Sequence, residues 1–97
     1  MYNVSFAKSF LKDIKKIPKE VQREVVNNWV PQIKENPYIG DKFSGKNLSN
    51  FTKISFRYKR NDYRIVYQIH KKQISIIFLA IGSRENFYKK IEHRYNS

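Results

Sequence analysis

Tyr63-Arg64-Ile65-Val66-Tyr67-Gln68-Ile69, followed by Ile74-Ser75-Ile76-Ile77-Phe78-Leu79-Ala80-Ile81 and then by Gly82-Ser83-Arg84-Glu85-Asn86-Phe87-Tyr88, is the stretch from which the fold follows. In the first segment Tyr63, Ile65, Tyr67 and Ile69 alternate with Arg64, Val66, Gln68 and His70, which is the period of a strand. The second segment is apolar on both faces, so it is expected inside a sheet and not at its edge. The short turn His70-Lys71-Lys72-Gln73 joins them as an antiparallel hairpin. That hairpin delivers Arg84 and Tyr88, four residues apart, to the end of the sheet.

Upstream, Thr52, Ile54, Phe56 and Tyr58 alternate with Lys53, Ser55 and Arg57, and Lys59-Arg60-Asn61-Asp62 makes a second short turn. The three strands therefore form an antiparallel meander. If Thr52, Ile54 and Phe56 share a core with Tyr63 and Ile65, then Lys53, Arg57 and Arg64 stand together on the other face. Like charges held that close repel each other, and a bound polyanion relieves the repulsion.

The N-terminal half reads as helical after a short strand at residues 2–6, where Tyr2, Val4 and Phe6 alternate with Asn3 and Ser5. Phe6, Phe10, Ile14 and Ile17 fall on one helical face. Pro18 breaks that helix and suits the first turn of another, where Glu20 complements the helix dipole. Val21, Val25, Trp29 and Ile33 make the second stripe, and Pro31 is expected to kink it or end its regular part near Val30. The short connection predicts a helix hairpin. Asn36-Pro37 and Gly40 mark the exit into a polar loop, Asp41 to Asn50, and a final helix is expected from Arg84 to about Arg94. The fold class is α+β in a single domain, residues 1–97.

The chain of 97 residues carries twenty Lys and Arg against eight Asp and Glu, a formal net charge of +12. Such a field favours nucleic acid, ribosomes, acidic proteins or anionic surfaces as partners. The absence of cysteine removes disulfides and thiolate chemistry and fits a reducing compartment. No apolar run approaches the ~20 residues of a membrane span, and no signal-peptide pattern stands at the N-terminus. A soluble, cytoplasmic protein without a membrane partner is expected.

Several chemistries fit poorly. His70 and His93 stand alone, without a carboxylate or second histidine at metal-ligand spacing. The three glycines, 40, 45 and 82, are too scattered to cradle phosphates. The serines lack a histidine base and an oxyanion arrangement. No metal and no cofactor are expected. Tyr88 is different: Phe87 and Ile91 make the core stripe of the last helix, so Tyr88, displaced by about 100°, faces elsewhere. A tyrosine beside arginines can stack on a base or exchange a proton with a ribose hydroxyl.

The order of strand, helix hairpin, three-stranded meander and short C-terminal helix resembles the RelE/ParE superfamily of bacterial toxins. The motifs that carry the resemblance are Asn36-Pro37, Lys42-Phe43-Ser44-Gly45, Asp62-Tyr63-Arg64-Ile65-Val66-Tyr67 and Ala80-Ile81-Gly82-Ser83-Arg84-Glu85-Asn86-Phe87-Tyr88. The resemblance covers nearly the whole chain. It implies the toxin of a type II toxin–antitoxin pair and, on the RelE-like branch, a ribosome-dependent mRNA endoribonuclease (mRNA interferase) that inhibits translation. In such enzymes the ribose 2′-hydroxyl attacks the neighbouring phosphate without a metal. The resemblance assigns Lys53 to proton transfer or charge stabilisation, Arg64 to the scissile phosphate, Arg84 to charge on the leaving group, and Tyr88 to the base and to stacking on mRNA. Lys42, Lys46 and Arg57 become RNA or ribosome contacts. The partners implied are ribosome, mRNA and a cognate acidic antitoxin in a hetero-oligomer. Two positions depart from the pattern: Ser44 and Ser55 stand where RelE toxins carry a further arginine and lysine. The alternatives are a ParE-like inhibitor of DNA gyrase and a degenerate, non-catalytic member.

Overall fold

The computed structural model describes residues 2–43, 50–83 and 87–95. A five-stranded sheet is built from β1 (Asn3–Phe6), β2 (Asp41–Lys42), β3 (Phe51–Tyr58), β4 (Asn61–His70) and β5 (Ser75–Gly82), in the order β1-β5-β4-β3-β2. The expected meander is β3-β4-β5, antiparallel throughout. β1 adds in parallel to β5, pairing Asn3 with Ser75 and Phe6 with Phe78. The doubly apolar β5 is thereby covered on both edges, as its pattern demands. The start of the polar loop is more ordered than its composition suggests, because Asp41 and Lys42 pair with Lys53 and Thr52.

Helices cover both faces. α1 (Lys8–Ile14), α2 (Lys19–Glu24) and α3 (Val30–Glu35) lie over one, and α4 (Phe87–Tyr95) over the other. The first core joins Phe10, Val21, Val25 and Ile33 to Ile65, Tyr67, Ile76 and Phe78. Each such side chain contributes about 1.5–3 kcal/mol on burial. The second core joins Phe43, Phe51, Val66, Leu79 and Ala80 to Phe87 and Ile91 of α4.

The second helical stripe is one continuous ridge in sequence but three pieces in space. Pro31 has no N–H to donate back to Asn27, so the turn before it cannot close in the ordinary α pattern. Between Val25 and Trp29 the backbone widens to a π-turn, and the Val30 N–H donates to the carbonyl of Val25, five residues back. Regular α-helix resumes at Val30 with the proline in its first turn, where the missing donor is harmless. Pro31 therefore shifts the register of the helix without ending it.

The β4–β5 turn also lies one residue later than the alternation suggests. Ile74 belongs to the turn, not to β5, with φ of 49° and its side chain 54% exposed. Its carbonyl accepts from the Asn3 N–H at 2.9 Å, which ties the turn to β1. Within β5 a bulge falls opposite Val66 and Tyr67: Ala80 pairs with Val66 and Phe78 with Tyr67, leaving Leu79 without a partner. Leu79 and Ala80 consequently both face α4, while Phe78 and Ile81 both face the first core. The bulge resets the parity of the strand just before Gly82.

Candidate functional site

The register of β3 and β4 fixes which side chains share the α4 face. Ile54 pairs with Ile65 and Phe56 with Tyr63, all facing the first core. Directly opposed residues share a face, so Lys53 opposite Val66, Ser55 opposite Arg64, and Arg57 opposite Asp62 point the other way, toward α4. Arg64 is also the partner of Gly82 on β5. A Cβ on Gly82 would lie 2.5 Å from the ring of Phe87, so this position must be bare for α4 to seat.

Phe87 is buried, and Tyr88 follows it on the rim of the second core. The Tyr88 ring meets the edge of Phe43 at 5.0 Å between centroids and that of Phe87 at 5.5 Å. Two cations complete the group: Lys53 Nζ lies 4.7 Å and Arg64 Cζ 5.6 Å from the Tyr88 ring centroid. Lys53 Nζ is also 5.4 Å from the centroid of Phe43. Each cation gains about 0.5–1 kcal/mol from the ring quadrupole at a partly exposed site. The two aromatic edges hold the phenol ring in place, and the ring holds the two cations beside it.

The other sequence-derived site residues fall elsewhere. Arg57 sits at the far end of the β3–β4 ribbon, 3.9 Å from Asp62 in a solvent-exposed pair. Lys42 points to the first-core side of the sheet, because it pairs with Thr52 while its neighbour Phe43 packs under Tyr88. The catalytic candidate Arg84, the RNA-contact candidate Lys46 and the departing position Ser44 lie outside the described residues.

Sequence reasoning passed over two contributors. Phe43 was legible as the one large aromatic in a polar stretch, but nothing in the sequence connects it to Tyr88. Asp13 is the sole acidic residue before Glu20, and it falls on the apolar stripe of α1 between Phe10 and Ile14. It is buried, accepts from the Ile81 N–H at 3.3 Å, and receives both terminal nitrogens of Arg94 at 3.3 Å. Burial opposes the Arg94 charge, but the hydrogen bond to Asp13, the charge of its carboxylate and the neighbouring Tyr95 together outweigh it and raise the guanidinium above its ordinary value. This fork ties α1, the end of β5 and the last turn of α4 together. An acid on an apolar stripe, matched by a lone arginine near the C-terminus, is the signal that would have found it.

The model of the ParE-like toxins of type II bacterial toxin–antitoxin systems matches residues 4–92. The chain belongs to this family. Solved structures agree with the RelE/ParE fold. The isolated Escherichia coli RelE toxin superposes with a TM-score of 0.70 at 25% identity, covering 97% of this chain and 98% of that one. RelE in the intact E. coli RelBE toxin–antitoxin complex gives 0.70 at 26% identity, covering 88% and 99%. The Mycobacterium tuberculosis RelBE2 complex gives 0.71 at 23% identity, covering 86% and 98%, and at that identity supports the fold alone. No curated protein matches the chain in sequence. Among the described residues no helix is long and apolar enough to cross a membrane.

Proposed function

We propose that this RelE/ParE-family toxin is a metal-independent endoribonuclease that cleaves mRNA in the ribosome. One observation supports this reading above all: Lys53, Arg64 and Tyr88, from β3, β4 and α4, converge with both cations within 6 Å of one phenol ring. Two cations beside a proton-exchanging hydroxyl are what in-line attack by a 2′-hydroxyl requires.

In the proposed reaction the ribose O2′ forms a bond to phosphorus while the bond from phosphorus to O5′ breaks. The products are a 2′,3′-cyclic phosphate and a free 5′-hydroxyl. The 2′-hydroxyl proton goes to a base and O5′ takes one from an acid. Tyr88 is the base candidate and also stacks on the mRNA. Arg64 holds the scissile phosphate. Lys53 stabilises the phosphorane or relays a proton, and Arg84 assists the leaving oxygen. Ser55, directly opposite Arg64, leaves this face with one cation fewer than the RelE pattern. That deficit fits a site completed by ribosomal groups. The partner expected in the cell is an acidic antitoxin, by analogy with the RelBE complexes.

The test is mapping of mRNA 5′-ends after brief induction in a host lacking the antitoxin. New 5′-hydroxyl ends are expected within minutes, and Arg64→Ala or Tyr88→Phe should abolish both the ends and the growth arrest while leaving the thermal unfolding profile intact. Double-strand DNA breaks with intact mRNA would instead assign the toxin to gyrase, as the ParE alternative requires. Full toxicity in both variants would sink the assignment of the site.

A further inference from the structure

A cationic concavity lies away from Tyr88. It is a cavity of about 590 Å³ at the end of the sheet formed by β2, the start of β3 and the β4–β5 turn. Lys42, His70, Lys71 and Lys72 line it, together with Tyr38 of the 3-10 turn Pro37–Ile39. Among the described residues no acidic side chain lines it. Tyr38 is 54% exposed, an aromatic face open to solvent. Lys71 Nζ lies 5.9 Å from its ring centroid, and the Tyr2 hydroxyl lies 3.4 Å from its hydroxyl, which steadies the ring. The Asn36 side chain accepts from the Tyr38 N–H at 3.2 Å and fixes the turn that presents it.

We infer that this cavity is a second contact site for single-stranded RNA, with phosphates on Lys42, Lys71 and Lys72 and an adjacent base stacked on Tyr38. The inference rests on the reading of this toxin as an RNA-cleaving protein. Lysines alone would suit any polyanion. An open ring flanked by cations adds what a nucleic acid uses and an acidic peptide does not, since a base stacks on an aromatic face while its phosphates meet the ammonium groups. β2 supplies the link between the two sites. Its Lys42 turns into this cavity, and the next residue, Phe43, packs under Tyr88 on the opposite face. β2 is the edge strand of the sheet, so a strand of RNA crossing that edge passes from one cationic group to the other.

The experiment is a fluorescence-anisotropy titration of an end-labelled, unstructured RNA ten-mer with the purified full chain at several salt concentrations. The double variant Lys71→Ala, Lys72→Ala should flatten the plot of log K against log salt by about 1.4, at roughly 0.7 per phosphate contact on a single strand. Tyr38→Ala should weaken binding by about five- to hundredfold with the slope unchanged, and Tyr38→Phe should restore it. Wild-type binding in the lysine and Tyr38→Ala variants, with folding verified by circular dichroism, overturns the inference. So does equal loss in Tyr38→Phe, or a glutamate-rich ten-mer that competes at the same concentration as RNA, which would assign the cavity to an acidic peptide. Failure of the cleavage reading shows separately, as unchanged mRNA ends on induction with these anisotropy effects intact.

Discussion

Tyr67 shows what one buried side chain can decide. It is fully buried in the first core, donates its hydroxyl to the Pro37 carbonyl at 2.7 Å, and thereby anchors the 3-10 turn that carries Tyr38. Burial pushes its phenol up to about 12. In the unfolded chain the same group titrates near 10. Below that value both states hold the proton and Tyr67 adds no pH dependence. Between about pH 10 and 12 the unfolded chain has lost it while the folded chain keeps it, so stability falls as pH rises, by about 2–3 kcal/mol in all. Tyr67→Phe is expected to begin less stable, for want of the bond to Pro37, and to decline less steeply over that window. Urea midpoints measured at intervals from pH 9 to about 11.5 check this; parallel slopes in the two proteins would refute it. The alternation that marks Tyr67 as a core residue was legible in the sequence. Its partner was not, because the turn that supplies it lies thirty residues upstream.

Among elements, α4 depends on its attachments. Phe87 and Ile91 give it a buried stripe, and Tyr95 meets Phe51 edge-on at 5.1 Å. The fork from Asp13 to Arg94 fixes its last turn. Asp13→Ala leaves the Ile81 N–H without its acceptor and Arg94 without its counter-charge, and should cost about 2–3 kcal/mol. Tyr88 rides on the same helix, so growth arrest should weaken as well. Arg94→Lys, which leaves Asp13 in place and keeps one bond to it, should lose less of both, as measured by denaturant unfolding and colony counts. Equal stability in Asp13→Ala and the parent would show that the apolar stripe alone seats α4. The elements themselves were largely readable from periodicity: β1, the meander, the break at Pro18 and the C-terminal helix all appear where alternation or a helical stripe places them. What escaped was register. The π-turn before Pro31, the bulge at Leu79 and the shift of Ile74 into the turn each change the count by one residue. Periodicity fixes the kind of element, whereas these offsets arise from individual backbone hydrogen bonds, made or missing, that periodicity does not carry.

For the whole molecule, the sheet order matters more than any one contact. β5 is buried along most of its length, and among the described residues β1 is the one strand on its outer side. Deleting residues 1–6 would expose an apolar edge able to pair with another chain. The expected outcome is insoluble protein or oligomers on size exclusion. A monomeric, folded deletion would mean that β1 is dispensable. The candidate site was only partly legible at this scale. Lys53, Arg64 and Tyr88 could be named from spacing and resemblance, and the strand register accounts for their meeting. Lys42, expected as an RNA contact, lies on the other face of the sheet from these three, because the parity of β2 sends it there.

The pairing of Asn3 with Ser75 carries a temporal consequence. Ribosomes make this chain from the N-terminus, yet the first strand has nothing to lie against until the fifth has been synthesised. The helix bearing Tyr88 emerges later still. A half-made molecule therefore lacks both the strand that receives β1 and the phenol that meets Lys53 and Arg64, so that cluster assembles only after α4 has been synthesised.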